Sequence, residues 1–403
     1  MVQKRVCFIV RRGLSQCQRM LPALGGGGVG YRGCFIYPRS VDSTSAHFQS
    51  LVLQQNVPLA PFTTLRIGGP ARYFAEITSE AGLLEAVGFA RERRLPLFVL
   101  GGGSNLLVSD EGFDGIVLKI ALGGETAVEK ADGKLSYTVP AGFDWDAFVL
   151  SVCAQGISGV ECLAGIPGLV GGTPVQNVGA YGQEVAETIT EVRALDLRSR
   201  EFVTLSAEEC RFGYRSSLFN STLRNRYVVT AVKFHFDPAA KPKLAYADLK
   251  KHFQDAVSEP TPLEVYHAVR KIRQAKGMLL VEGDPDCRSA GSFFKNPVVP
   301  VETLAKIAAV MKIEREAIPN WPVLEGGEAT GRTKLPAAWL LENVGFRKGY
   351  ALGAAGISSR HTLALINRGQ ATQAEMVALR DRIQNTVQFR FGILLEQEPV
   401  TLP

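Results

Sequence analysis

Two glycine-rich segments are the first places in the chain where chemistry is expected. The first, Gly101-Gly-Gly-Ser-Asn105, directly follows a short apolar run at Leu97–Leu100. Glycines let successive backbone N–H groups approach an anion closely, and Ser and Asn side chains add further donors. Taken alone, such a turn is more often structural than functional. Its candidate residues for binding phosphate groups are Gly101, Gly102, Gly103, Ser104 and Asn105.

The second segment, Ala164–Gly182, is glycine-dense but also contains Pro167 and Pro174, which stiffen it. A rigid loop with many exposed backbone donors suits a flat, charged cofactor lying against the main chain. The side-chain amides of Gln176 and Asn177 suit the edge of a flavin ring. Two such loops in one chain favour a dinucleotide, and the candidate residues here are Ile166, Pro167, Gly168, Gly171, Gly172, Gln176, Asn177, Gly179 and Ala180.

The elements around the first loop must position it. Residues 79–95 have the periodicity of an amphipathic helix, and the apolar runs at 97–100 and 116–120 are typical of buried strands. This strand–helix–strand order predicts a mixed α/β fold.

Further helices are predicted by their start signals: Asp144 before residues 145–154, and the capping boxes Thr261…Glu264 and Thr372…Glu375. We also expect a helix at 335–343, a polar loop near 325–333 and a terminal strand at 393–398. Strand-like runs lie at 135–140, 189–197, 200–205 and 227–235.

The composition of the 403 residues is that of a globular protein, with 46% hydrophobic and 21% charged residues.

Residues 1–50 contain seven Lys and Arg residues and one acid, Asp42, which accounts for the whole net charge of +6. We expect this segment to lie outside the enzyme, as an over-extended start, a disordered tail or a transit peptide. Because the remainder is neutral, no nucleic-acid partner is expected, and no apolar run is long enough to predict a membrane span.

Cysteine spacing also bounds the function. None of the seven cysteines forms a C-x-x-C pair, so no metal site is expected and the thiols fit a reducing cytoplasm.

Five segments, in chain order, resemble the UDP-N-acetylenolpyruvoylglucosamine reductase family: Gly101–Val108, Ile166–Gly182, Glu209–Ser217, Ala290–Pro297 and Leu395–Glu398. The similarity runs from about Asn56 to the C-terminus. It implies a two-part, vanillyl-alcohol-oxidase-like (PCMH-type) FAD-binding fold followed by a C-terminal α+β substrate-binding domain. It also implies FAD as cofactor, NADPH as reductant, and reduction of UDP-N-acetyl-enolpyruvoylglucosamine to UDP-N-acetylmuramate, a peptidoglycan precursor.

The resemblance assigns roles to single residues. Arg215, Ser292 and Glu398 match the family's catalytic arginine, proton donor and catalytic glutamate, and Glu396 is a rival for Glu398. Hydride addition to the enolpyruvyl group pushes negative charge into its carboxylate, which a guanidinium group can stabilise while a hydroxyl protonates the inner carbon. Substrate binding is expected from Tyr181, Tyr214, Lys276 and Asn296.

One departure concerns the substrate lid, where relatives of the longer-loop subtype carry a tyrosine and this chain has Leu223.

The resemblance implies a first FAD subdomain at 52–120 with 390–403, a second at 121–272, and a substrate domain at 277–388. We expect a monomeric cytoplasmic enzyme. The alternatives are another FAD oxidoreductase of this fold, acting on a small alcohol or hydroxy acid, and a non-catalytic flavin- or nucleotide-sugar-binding protein.

Overall fold

The first sheet of the molecule combines antiparallel and parallel strands. The computed structural model describes residues 46–47, 51–131, 133–325 and 328–403, so the expectation for residues 1–50 lies outside the described residues, apart from the backbone at 46–47. Strand order is β1-β2-β3-β6-β4, and β3 and β4 both run parallel to β6. The bounds are β1 Ala46–His47, β2 Val52–Pro58, β3 Pro70–Ile77, α1 Glu80–Glu92, β4 Leu97–Leu100, β5 Leu106–Val108 and β6 Phe113–Ile120.

Helix α1 confirms the amphipathic pattern near 79–95. The Ser79 side chain accepts the N–H of Gly82 at 3.1 Å and so caps the first turn, while Leu83 and Val87 are buried. Strand β4 ends at Leu100, so the first glycine loop leaves the carboxyl end of a strand that is parallel to its neighbour β6. That edge of a parallel sheet is a common location for ligand sites.

A second, antiparallel sheet follows, with order β12-β11-β13-β8-β7. It confirms the four strand-like runs with small changes at their ends. The bounds are β7 Ala127–Ala131, β8 Lys134–Pro140, α2 Trp145–Cys153, β9 Gly179–Ala180, β10 Gln183–Glu184, β11 Ile189–Asp196, β12 Glu201–Ser206, β13 Tyr227–Phe236, α3 Ala247–His252 and α4 Pro262–Ala275.

Helices α2 and α4 start where their sequence signals predict. Asp144 accepts the N–H of Ala147 at 2.8 Å, and Thr261 forms a complete capping box with Glu264. The rings of Phe148 and Phe234, whose centroids are 4.9 Å apart, belong to the buried core between α2 and the sheet. Helix α4 packs against α2 and buries Val265 and Val269 in the same core, and its C-cap is the predicted substrate residue Lys276.

A third part of the structure, residues 289–391, contains two small sheets. Their strand orders are β14-β20-β19-β18 and β15-β17-β16. The Thr372 capping box at the start of α7 and the helix near 335–343 are both confirmed. The bounds are β14 Ser289–Ser292, β15 Val298–Pro300, α5 Thr303–Met311, β16 Trp321–Glu325, β17 Glu328–Lys334, α6 Ala337–Asn343, β18 Ala351–Leu352, β19 Ala355–Ile357, β20 Ala364–Asn367 and α7 Gln373–Phe391.

Two sequence predictions about this part are wrong. The stretch at 393–398 forms no regular strand, because only single backbone bonds join it to the segment after β14, from Lys295 N–H to Glu396 O and from Glu398 N–H to Phe293 O, both 2.9 Å. The last strand is β21 Val400–Leu402, which pairs in parallel with β5. The polar loop expected near 325–333 is largely strand β17, which pairs with both β15 and β16.

Hydrogen bonds join the part of the chain that forms the first sheet to the third part, at β14 and at the start of α7. The Thr64 hydroxyl donates to the carbonyl of Ser289 at 2.6 Å, and the Asp110 carboxylate accepts the N–H groups of Gln373 and Ala374 at the start of α7. The two parts are therefore joined by hydrogen bonds at two places, at β14 and at the start of α7. Among the described residues, no helix combines the length and the apolar character needed to cross a bilayer.

Candidate active site

A cleft of about 1180 Å³ lies where the three parts of the chain meet. Both glycine loops, the turn at 213–216, the end of β14 and the end of the chain contribute to its walls. The predicted site residues that line it are Gly101, Gly102, Gly103, Ser104, Asn105, Ile166, Pro167, Gly168, Gly171, Gly172, Gln176, Gly179, Ala180, Tyr181, Tyr214, Arg215, Lys276, Ser292, Asn296 and Glu398. One cavity thus brings together every predicted site residue except Asn177.

The two glycine loops pack directly against each other. The Ser104 hydroxyl donates to the carbonyl of Pro167 at 2.8 Å, and the Asn105 amide donates to the Gln176 side chain at 2.7 Å. A Cβ atom on Gly102 would lie 2.6 Å from the Cα of Gly168, so this contact requires glycine. Segments that are far apart in sequence therefore form one continuous cradle.

Other glycines of the cradle face open space, where a cofactor could lie against the main chain. A Cβ atom on Gly101 or on Gly172 would meet no atom within 4 Å, although both residues line the cleft. Packing within the protein does not require glycine at these positions. The bare main chain suits close approach of a flat ligand with a diphosphate, and these residues fit FAD.

Arg215 and Glu398 form an ion pair in the cleft wall, with 3.0 Å between Nε and Oε1. The Arg215 Nη2 also donates to the carbonyl of Gly179 in the second loop at 2.7 Å. Its Nε–H is buried without an aligned hydrogen-bond acceptor, so the contact with Glu398 is an ion pair rather than a good hydrogen bond. The Arg215 Nη1 makes no hydrogen bond within the described residues, so the guanidinium group keeps one nitrogen to bind a further acceptor.

The backbone of Arg215 is held in the left-handed region, at φ 52°. The turn that carries it is closed by reciprocal backbone hydrogen bonds between Gly213 and Ser216, and the Asn220 amide donates to the Arg215 carbonyl at 3.1 Å. For a non-glycine residue this conformation is strained and needs such support.

Glu398 has an environment that disfavours its charge. Burial raises the pKa of Glu398 above its usual range, while the opposite charges of Arg215 and Lys295 act to lower the pKa. Ser292 is near because the Glu398 N–H bonds the carbonyl of Phe293, the next residue after Ser292. The Arg215–Glu398 pair and the end of β14 that carries Ser292 are therefore neighbours in the wall of the cleft.

Lys276 lies in a polar and aromatic cluster on another wall. Its ammonium donates to Asp248 at 2.5 Å and lies about 6 Å from the ring centres of Tyr181 and Tyr246. Burial lowers the pKa of Lys276, but Asp248 and the two tyrosines more than offset this and raise the pKa. A charged Lys276 can bind an anionic group at this wall.

Two family models match the chain. Residues 71–206 match the FAD binding domain, and residues 284–402 match the C-terminal domain of UDP-N-acetylenolpyruvoylglucosamine reductase. The UDP-N-acetylenolpyruvoylglucosamine reductase of Thermobifida fusca is 44% identical over 354 residues, which cover 86% of this chain and 97% of that protein. The protein of the same name from Chromobacterium violaceum is 40% identical, over 88% of this chain and 100% of that protein. The chain belongs to the UDP-N-acetylenolpyruvoylglucosamine reductase family.

The crystal structure of the reductase from Thermus caldophilus is similar as well, with a TM-score of 0.57, 28% identity, and coverage of 87% of this chain and 98% of that chain. Together with the family models, it confirms the predicted family, the α/β two-part FAD-binding fold with an added C-terminal domain, and FAD as the cofactor. These relatives give no support to the alternative of another oxidoreductase of the same fold.

The structure shows that the two candidate carboxylates, Glu398 and Glu396, have different environments. Glu398 contacts Arg215 and has only 14% of its side chain exposed, whereas Glu396 pairs with Lys295 and is 71% exposed. The two side chains do not point the same way, because the segment that carries them is not a regular strand.

Two residues, one predicted for the cofactor site and one at the position of the lid, lie outside the cleft wall. Asn177 does not line the cleft, because its amide is already used, with Nδ2 donating to Glu184 and to the Gly213 carbonyl and Oδ1 accepting from Ala186. Leu223 packs on the hydrophobic core instead of facing the cleft, while its neighbours Arg224 and Asn225 line the cleft wall.

Sequence reasoning missed several polar residues of the cleft. Arg273, His361 and Lys334 line it, and burial together with nearby cations lowers the pKa of His361 to about 4. Lys334 lies 4.7 Å from the ring centre of Tyr214. Of these residues, only Arg273 carries a sequence signal, because it lies one turn before Lys276 on the same helix.

Proposed function

We propose that this chain reduces UDP-N-acetyl-enolpyruvoylglucosamine to UDP-N-acetylmuramate, using FAD and NADPH, and so supplies a precursor for peptidoglycan synthesis. The observation that carries the proposal is the Arg215–Glu398 pair, which lies in one cleft with Ser292 and with a cradle that fits FAD. Family membership supports the same reaction, because the relatives are named for it.

Bound FAD, reduced by NADPH, supplies the hydride that adds to the methylene carbon of the enolpyruvyl group. We assign to the protein the control of charge in the substrate. Arg215, whose Nη1 makes no hydrogen bond within the described residues, binds the substrate carboxylate as negative charge develops on it. Glu398 holds the guanidinium from the other side and limits its orientation.

The Ser292 hydroxyl delivers a proton to the inner carbon of the former alkene. A serine hydroxyl is a weak acid, so it serves here only because the carbon it protonates is strongly basic and the geometry is fixed. Strand β14 provides this rigidity, since it pairs with β20 and is joined to the first part through Ser289.

The remaining predicted residues bind the nucleotide sugar. Lys276 pairs with the diphosphate as a point charge, and Tyr181 and Tyr214 provide apolar walls. Asn296 uses its Oδ1 to accept the N–H of Ala337, which leaves its amide N–H groups for the sugar. We also infer that residues 52–120 with 390–403 and residues 121–272 form the FAD subdomains, that residues 277–388 form the substrate domain, and that the enzyme is a cytoplasmic monomer.

One assay tests the proposal. The purified protein is expected to be yellow and to oxidise NADPH, followed by its absorbance, only when the enolpyruvyl UDP-sugar is present. Protein that carries FAD but shows no substrate-dependent loss of NADPH would refute the catalytic role. UDP-N-acetylglucosamine, which lacks the alkene, is the control compound.

A further inference from the structure

Lys119 is a half-buried lysine of β6 that no sequence pattern linked to the cleft. Its ammonium donates to the carbonyl of Gly101, the first residue of the first glycine loop, at 2.9 Å. In the part of the chain that the structure describes, Lys119 forms no ion pair with a carboxylate. Burial lowers its pKa, and Glu76 on the adjacent strand β3 offsets only part of this effect. The fold thus places a poorly compensated positive charge directly behind the loop.

The hydrogen bond from Lys119 also fixes the direction of the loop's peptide groups. In a trans peptide the C=O and the following N–H point in opposite directions. Lys119 does not line the cleft, so a Gly101 carbonyl that faces Lys119 turns the N–H of Gly102 to the other side. Among the described residues, the N–H groups of Gly102, Gly103 and Ser104 have no backbone or side-chain acceptor. Three free donors in a row are the groups that bind an oxyanion.

The second loop shares one feature of this arrangement, a buried cation that donates to the carbonyl of its first glycine. Its first glycine, Gly165, accepts a hydrogen bond at 3.2 Å from the Nε of Arg273, another buried cation without a carboxylate ion pair in the described chain. Lys119 gives the cleaner test, because Arg273 itself lines the cleft and also bonds the carbonyl of Met278.

We propose that Lys119 is a positioning residue of the cofactor site, which orients the Gly101–Gly102 peptide and adds positive charge so that the free N–H groups bind a diphosphate. The inference rests on the proposed binding of FAD in this cleft. It predicts that Lys119 contributes to affinity for the diphosphate of FAD and not to affinity for the flavin ring.

The test measures dissociation constants of FAD and of riboflavin, which has the ring but no phosphate, for the full chain freed of flavin, by quenching of flavin fluorescence. Lys119→Met keeps the length of the side chain and removes the charge. We expect it to weaken FAD binding by about 10- to 100-fold, the contribution of one charge-assisted hydrogen bond. Riboflavin binding should change less than threefold, and Lys119→Arg should bind FAD nearly as well as the unmodified chain.

Lys233→Met is the matched control, because Lys233 is a partly buried strand lysine that pairs with Glu129 and Glu191 and does not line the cleft. It should leave both constants unchanged. Unchanged FAD affinity in Lys119→Met, or an equal loss for FAD and riboflavin, would overturn the inference, the second result showing a general loss of structure. If Lys119→Met does not fold by circular dichroism, Lys119→Gln is measured with the same criteria. Failure of the unmodified chain to bind FAD would instead contradict the proposed function.

Discussion

The Arg215–Glu398 pair gives a prediction about stability that can be worked out from its geometry. At 3.0 Å and an effective dielectric constant of about 20, the attraction between the two charges is about 5.5 kcal/mol. Their side chains are only 21% and 14% exposed, so loss of hydration offsets most of this attraction. Removing one partner of such a pair leaves the other charge buried alone, which costs about 3–5 kcal/mol.

We therefore expect Arg215→Met to lower the free energy of unfolding by about 3 kcal/mol at pH 8. The loss should depend on pH, because burial already raises the pKa of Glu398 and removal of Arg215 raises the pKa further. A group whose pKa is raised in the folded state stabilises the protein below its unfolded pKa and loses that effect as pH rises through the folded pKa. As the pH falls from 8 toward 5, a growing fraction of Glu398 takes up a proton in the variant, so the variant should approach the unmodified chain.

Thermal melting between pH 5 and pH 8, with FAD in constant excess, measures this effect. With an unfolding entropy of roughly 0.7 kcal/mol per kelvin for a folded chain of about 350 residues, a loss of about 3 kcal/mol corresponds to a Tm lower by about 4 °C. The double variant Arg215→Met/Glu398→Gln should recover most of the lost Tm at pH 8, since no buried charge remains unpaired. An equal Tm deficit at pH 5 and pH 8, or no recovery in the double variant, would refute the reasoning.

Three further outcomes follow from the cleft. Ser292→Ala should leave flavin reduction by NADPH unchanged and slow flavin reoxidation by the enolpyruvyl sugar by about 10²- to 10⁴-fold in stopped-flow absorbance, and equal rates in both half-reactions would remove Ser292 from the mechanism. Gly102→Val, whose Cβ would lie 2.6 Å from Gly168, should lower both FAD binding and the Tm of the flavin-free chain, whereas Gly172→Val, whose Cβ would meet no atom within 4 Å, should lose FAD at unchanged Tm. Lys276→Met should raise KM for the UDP-sugar at least tenfold with a smaller change in kcat, and the reverse pattern would place Lys276 in the chemical step.

The parts of the fold that sequence predicted are those set by neighbouring residues. The capping boxes at Thr261 and Thr372 were sufficient to locate the starts of α4 and α7, because cap and acceptor are three residues apart. The glycine loop after β4 was located because a buried strand directly precedes it. The terminal strand was misplaced by several residues, because its parallel partner β5 lies about 300 residues earlier and no local pattern specifies that pairing.

The polar contacts of the cleft show the same limit. Lys276 was expected from the family motif, but its partner Asp248 lies 28 residues away on α3, a helix that the sequence did not predict. Lys119 reaches Gly101 across two paired strands, and its own surroundings in sequence are those of an ordinary buried strand. Physical reading of one segment cannot identify such residues, because their role exists only after the segments have packed.

Backbone conformation explains why three of the predicted site residues, of which Tyr181 and Arg215 line the cleft, are hard to derive from local propensity. Asn177, Tyr181 and Arg215 all have positive φ, at 45°, 50° and 52°. Glycine would adopt this conformation without the cost of roughly 1–2 kcal/mol that a side chain incurs. At Arg215, glycine would also remove the guanidinium group that contacts Glu398 and the Gly179 carbonyl. The strain is therefore retained where a side chain is needed in a position that only a left-handed residue can reach, and the surrounding hydrogen bonds of Gly213, Ser216 and Asn220 keep it in place.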